Sequence, residues 1–168
     1  QLQVWEPRNQ LTSAPIQTGL PVPDYKRIMI VKNDAKRFLN ETKSAVGLYA
    51  TDYFIQNVVD MKERPRIVWA VTDSEGARVL GWKPDMFQNP DPFKPPFIIK
   101  EYVATADNIR DLATKANLSP DNLEATLNRY NSYVGTGDDK EVGKPGPVNK
   151  IAKPPFYIAR LGMFAHNQ

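Results

Sequence analysis

Few side chains in this chain could move a proton or bind a charged ligand at neutral pH. His166 is the only histidine and the only side chain whose ordinary pKa lies near neutrality. It is read either as a surface histidine or as a substrate contact. Tyr49 and Tyr53 lie four residues apart, so on a helix they share a face. Aromatic residues at that spacing usually belong to a core, but a phenol facing a cleft could transfer a proton. Arg37 and Glu41 lie on the same side of a regular strand and are read as a structural ion pair. With no cysteine there is no thiolate nucleophile, zinc–thiolate site or disulfide framework. One histidine also rules out a two-histidine metal motif. No Ser-His-Asp set can be assembled.

Cofactor chemistry leaves no mark of its own. A dinucleotide site needs a glycine-rich turn between a strand and a helix, because only glycine lets the backbone approach a pyrophosphate. The nine glycines include no such pattern, and Gly135-Thr136-Gly137-Asp138 follows a helical segment instead of opening one. The chain by itself is expected to hold no dinucleotide. The net charge of +3 comes from 22 basic and 19 acidic residues interspersed along the chain, without the basic stripe of a nucleic-acid binder. No apolar run approaches the ~20 residues that span a bilayer, and the first residues do not form a signal peptide. A soluble protein is expected, with cytoplasm and periplasm both open.

The elements that would position these residues follow from pattern and punctuation. The 168 residues, 41% hydrophobic and 24% charged, suit one globular domain of ordinary size. Residues 1–26 carry four prolines and read as an irregular lead-in, leaving 27–168 as the domain. Ile28-Met29-Ile30-Val31 and Arg37–Glu41 are predicted to pair as a hairpin. A helix is expected from about Ser44 to Met61, carrying Tyr49 and Tyr53. Ile67–Thr72 reads as a buried strand closed by a turn at Asp73–Gly76. Ala77–Trp82 could be a short helix, the proline-rich stretch to Pro96 a loop, and Phe97–Val103 a strand. Two helices follow, one capped by Thr105 and carrying Ile109, Leu112, Ala113 and Ala116. The other starts at Ser119-Pro120 and carries Leu123, Leu127, Tyr130 and Val134. A charged Gly/Pro loop over 136–155 leads to a last strand, Phe156–Leu161. The sum is an α+β domain, a small mixed or antiparallel sheet with helices on one face.

Several of these segments carry a family pattern. Ala35-Lys36-Arg37-Phe38-Leu39-Asn40-Glu41 resembles the G-K-R-F-x-N-E opening of the capping domain in the fumarate reductase/succinate dehydrogenase flavoprotein family. That family includes flavocytochrome-type fumarate reductases, urocanate reductases and 3-ketosteroid dehydrogenases. Leu123-x-x-x-Leu127-x-Arg129-Tyr130-Asn131 is similar to its L-x-x-T-v-x-R-Y-N helix, and Gly137–Lys144 to its G-x-D-x-d-F-g-r loop. Lys153-Pro154-Pro155-Phe156-Tyr157 is similar to its P-P-F-Y-A strand. The resemblance runs from about residue 30 to 168, with the motifs in the family's order.

The resemblance implies a substrate-capping lid over a flavin, and FAD as the cofactor of the intact enzyme. The partners would be a small-molecule substrate and an FAD-binding domain of the same polypeptide that is absent here. The chain, starting without Met and ending just after its histidine, is read as an inactive fragment. It is expected to expose an apolar patch near residues 20–45 and 156–168. Fumarate reductases carry a proton-donating arginine soon after the N-E pair, whereas this chain has Thr42-Lys43-Ser44-Ala45. That difference weighs against fumarate or succinate as substrate and leaves Tyr49 and Tyr53 as candidate proton donors. His166 falls near the position of a histidine that contacts a substrate carboxylate in the family's reductases. A rival from another class is a stand-alone binding or scaffold module that uses the proline-rich 84–96 stretch.

Overall fold

A computed structural model describes residues 26–38, 40, 41, 68–94, 98–144 and 149–161. The predicted helix over 44–61 and the candidates Tyr49, Tyr53 and His166 lie outside these residues, as does nearly all of the lead-in. The described residues build a four-stranded sheet from β1 (Met29–Lys32), β2 (Val68–Thr72), β3 (Val103–Ala106) and β4 (Phe156–Leu161). The spatial order is β1-β2-β4-β3, and every neighbouring pair is antiparallel. The α+β class and the antiparallel sheet match the sequence reading.

Among the described residues four α-helices of defined extent accompany the sheet: α1 (Ser74–Leu80), α2 (Pro84–Gln88), α3 (Ile109–Lys115) and α4 (Pro120–Tyr133). Alternation along the strands sends successive side chains to opposite faces. Met29, Val31, Trp69, Val71, Ala104, Ala106 and Ile158 pack with Ile109, Leu112, Leu123, Leu127 and Tyr130 from α3 and α4. Ile28, Ile30, Val68, Ala70, Val103, Tyr157 and Ala159 pack with Ala77, Leu80, Trp82 and Phe87 from α1 and α2 or just after α1. The sequence pattern placed the helices against one face; in the structure both faces are covered. This double cover explains why all five β2 residues are buried, since an antiparallel strand with one wet face would alternate.

Several boundaries differ from the sequence expectation, each for a local reason. Asp73–Gly76 is the start of α1 and not a turn, because the Asp73 carboxylate caps the helix through the Gly76 N–H at 2.9 Å. Within the expected loop, Pro84 takes the first position of α2, where its missing N–H costs nothing. The strand predicted over 97–103 moves to 103–106, preceded by a 3-10 turn at Lys100–Tyr102. Thr105 is then a β3 residue whose hydroxyl donates to the Phe156 carbonyl at 3.0 Å. Asn108 caps α3 instead, accepting from the Asp111 N–H at 2.8 Å. The Ser119-Pro120 start of α4 is as expected.

The second hairpin strand does not form. Arg37 makes a single bridge to Val31, and by Glu41 the backbone is helical. Ala35, at the turn between them, has φ 61°, a left-handed conformation that favours glycine. The resembled family motif has glycine at that position.

Gly76 is demanded by contact. A Cβ there would lie 1.9 Å from the Thr72 Oγ1 and 2.9 Å from the Arg27 carbonyl oxygen. Among the described residues the large apolar side chains left exposed are Val79 and Phe93, and neither lies in the two stretches where an apolar patch was expected. No helix among them is long and apolar enough to cross a membrane.

Candidate functional site

The motifs that carried the resemblance, far apart in sequence, converge on one buried ion cluster. Its centre is Arg37, whose side chain is fully buried together with those of Glu41 and Asp139. The guanidinium Nε donates to Glu41 Oε1 at 3.0 Å and Nη2 to Glu41 Oε2 at 2.9 Å. This is the bidentate fork that suits a carboxylate. Nη2 also donates to Asp139 Oδ2 at 2.6 Å, and Nη1 reaches Glu141 Oε2 at 3.3 Å. The ion pair expected between Arg37 and Glu41 is therefore present, but on a turn leading into a helix and not along a strand.

Each remaining member ties the cluster to a different element. The Ile30 N–H donates to Glu41 Oε1 at 3.1 Å, anchoring the pair to β1. Lys144 is buried, donates to the Ile28 carbonyl at 2.9 Å and sits 3.7 Å from Glu41 Oε2. Asp139 Oδ1 accepts from the Glu141 N–H at 3.0 Å, closing a local turn. Asn40 donates to the Gly143 carbonyl at 2.6 Å. Thus R-F-x-N-E and the G-x-D loop hold one another across about a hundred residues of chain.

The R-Y-N residues of α4 complete the enclosure. Arg129 donates to Glu141 Oε1 at 2.6 Å. The Tyr130 ring lies 5.1 Å from the Arg37 guanidinium carbon and 5.2 Å from Lys144 Nζ, so two cations meet its negative face. Its hydroxyl donates to the Lys26 carbonyl at 3.2 Å. Asn131 makes a reciprocal pair with the backbone of Ile151, donating to its carbonyl and accepting from its N–H, both at 2.9 Å.

A second clamp lies at Asp73, a residue the sequence reading left as a turn. One carboxylate oxygen caps α1, and the other accepts from the N–H groups of Ala152 and Lys153 at 2.9 and 3.0 Å. The segment that opens the P-P-F-Y strand is thereby fixed to the start of α1. The spacing Asp73-x-x-Gly76 ahead of an alanine-containing helical turn is an N-cap signature, and it was the available clue. Nothing in the sequence marks Lys144 as buried.

Titration follows from this packing. Burial pulls the Arg37 guanidinium down, but the Glu41 and Asp139 carboxylates outweigh it and hold the group charged. Burial, with help from the Glu41 charge, pushes the Tyr130 phenol well above its usual value. Burial lowers the Lys144 ammonium, against the pull of Glu41. Burial would raise Asp139, but the Arg37 hydrogen bond and charge win and hold its carboxyl below the usual carboxylate range. A carboxyl whose folded pKa is depressed stabilises the fold above its unfolded pKa, and that contribution is lost as pH falls through the folded value. Stability should therefore drop as pH falls below about 4. In Asp139→Asn, urea midpoints measured between pH 3 and 6 should show a shallower acid slope and a lower plateau.

The arrangement is built to hold and not to react. Its carboxylates are engaged by cations or N–H groups, and Tyr130 is kept protonated. Among the described residues no group of three His, Asp or Glu side chains is placed to hold a metal ion. Gly135 and Gly137 have φ 85° and 71° on the exit from α4, so this glycine turn closes a helix. The candidates Tyr49, Tyr53 and His166 lie outside the described residues.

No family model matches the chain. A stretch of 67 residues, 39% of the chain, is 34% identical to the vinyl phenol reductase of Lactiplantibacillus plantarum, of which it spans 14%. Among solved structures, the open conformation of a flavocytochrome c3 fumarate reductase is similar with a TM-score of 0.56 at 20% identity, over 81% of this chain and 21% of that one. The 3-ketosteroid delta1-dehydrogenase of Sterolibacterium denitrificans is similar with a TM-score of 0.59 at 18% identity, over 86% of this chain and 30% of that one. The solution NMR structure of a fumarate reductase flavoprotein subunit from Lactobacillus plantarum has a TM-score of 0.57 at 16% identity, over 90% of this chain and 98% of that one. The chain shares the fold of one part of the fumarate reductase flavoproteins and 3-ketosteroid dehydrogenases, the group whose capping-domain motifs it carries in order.

Proposed function

We propose that this chain is the substrate-capping domain of an FAD-dependent oxidoreductase that reduces or desaturates a carbon–carbon bond beside an activating group. The observation that carries the reading is the asymmetry of coverage. Most of this chain corresponds in fold to only 21% of a fumarate reductase and 30% of a ketosteroid dehydrogenase. FAD, when bound in the intact enzyme, supplies hydride exchange with the substrate. The described residues do not fit its phosphates, since their glycine turn follows a helix, so the cofactor is assigned to a domain outside this chain. The role of this chain is then to cover the substrate and exclude water. The Arg37 cluster keeps the cap rigid, and Tyr49, Tyr53 or His166 serve as candidate substrate contacts. The rival module reading drew on the 84–96 stretch, but Phe87 is buried in the core, which spends part of that stretch on the fold.

The test uses the polypeptide of the native reading frame, with and without residues 27–168. Both forms should retain FAD, read by visible absorbance, while turnover of an electron-poor alkene should fall at least about a hundredfold without the cap. Stoichiometric FAD binding by the present chain alone, or full turnover without residues 27–168, would overturn the reading.

A further inference from the structure

Arg160 stands apart from the other arginines that face carboxylates. Arg27, Arg37, Arg110 and Arg129 each pair with at least one. Arg160 is half-buried in β4, and among the described residues no carboxylate or carbonyl oxygen bonds it. Its guanidinium carbon instead lies 4.4 Å from the centroid of the Tyr102 ring, a cation–π contact. Across the sheet Arg160 is the register partner of Trp69, whose indole N–H is already taken by Asn33 Oδ1 at 3.3 Å. The Tyr102 ring meets one side of the Arg160 cation, and among the described residues its N–H fork has no acceptor.

We propose that Arg160, held against the Tyr102 ring, binds the carboxylate of a small-molecule ligand. The fork geometry matches two carboxylate oxygens, and one guanidinium balances one negative charge. A phosphate carries close to two charges near neutral pH and is poorly matched by a single partner. This site lies on β4 and the turn before β3, and it shares no residue with the Arg37 cluster. The inference goes beyond the capping-domain reading and does not depend on it, because it is read on the isolated chain. A solved chain of nearly the same extent was determined by solution NMR, which makes such an experiment practical.

The test is an NMR titration of this chain with sodium benzoate, followed at the Arg160 Nε–H and Trp69 indole N–H signals. Benzamide serves as the uncharged counterpart and inorganic phosphate as the other oxyanion. Saturable shifts with benzoate, absent with benzamide and weaker with phosphate, are expected. Arg160→Gln should abolish them, and Arg160→Lys, which keeps the charge but loses the fork, should weaken binding about tenfold. Linear shifts without saturation, equal binding of phosphate, or unchanged binding in either variant would overturn the proposal. If Arg160→Gln loses the folded spectrum, Arg160→Lys decides alone, and benzoate affinity equal to the parent's would refute the fork.

Discussion

Replacing Arg37 by methionine should cost about 3–5 kcal/mol, the usual loss when one partner of a buried ion pair is removed. For a domain of ordinary stability, about 5–15 kcal/mol, that is a fifth or more of the total. The cause is not the lost attraction alone. Without the guanidinium, Glu41 and Asp139 remain buried with an excess of negative charge that Lys144, 3.7 Å from Glu41, offsets in part. The Tyr130 face also loses one of its two cations. Arg37→Lys should fall between, since a lysine keeps the charge but cannot hold Glu41 and Asp139 with one planar fork. Urea denaturation followed by circular dichroism gives the midpoints. A loss below 1 kcal/mol in Arg37→Met would mean that the cluster contributes little to holding the two motifs together.

Asp73→Ala is the second large effect expected. It removes the cap of α1, worth about 1 kcal/mol, and strands the N–H groups of Ala152 and Lys153. Hydrogen bonds to a charged acceptor contribute roughly 1.5–3 kcal/mol each, so with the cap a total loss of about 4–7 kcal/mol follows. Asp73→Asn should separate the two duties. One amide oxygen can still cap α1, but the NH2 group would face the two backbone donors and repel them. Amide hydrogen exchange reads this directly: in Asp73→Asn, protection should fall at Ala152 and Lys153 while the Gly76 amide stays protected. Equal loss of protection at all three amides would refute the division of duties.

The helices and strands were legible where local rules act without competition. Ser119-Pro120 carries both a capping hydroxyl and a proline at a position with no N–H to lose, so α4 began where it was expected. Phe156–Leu161 is a mostly apolar run that follows two prolines, Val68–Thr72 is one that ends at Asp73, and both are strands. The misread segments are those where a tertiary partner outbid local pattern. Arg37–Glu41 alternates well enough for a strand, but burying two opposite charges requires them to meet, and a turn into a helix brings them together. Phe97–Val103 is apolar enough for a strand, yet pairing with β4 begins only at Val103. Ala35 shows the converse: its backbone keeps the left-handed turn that glycine serves in the resembled motif, although the side chain differs.

The sequence by itself determined the α+β class, the start of α4, the strands β2 and β4, and a likeness in motif order to the fumarate reductase flavoproteins. These depend on periodicity, capping and residue order, which are local properties of the chain. Only the tertiary structure decided what the motifs do. It brought Arg37, Glu41, Tyr130, Asp139 and Lys144 into one enclosure and made Asp73 a clamp. It also placed Arg160 over the Tyr102 ring, with no acceptor for its guanidinium among the described residues. Charge pairing and desolvation act between residues about a hundred positions apart, and no local pattern records which carboxylate will meet which cation.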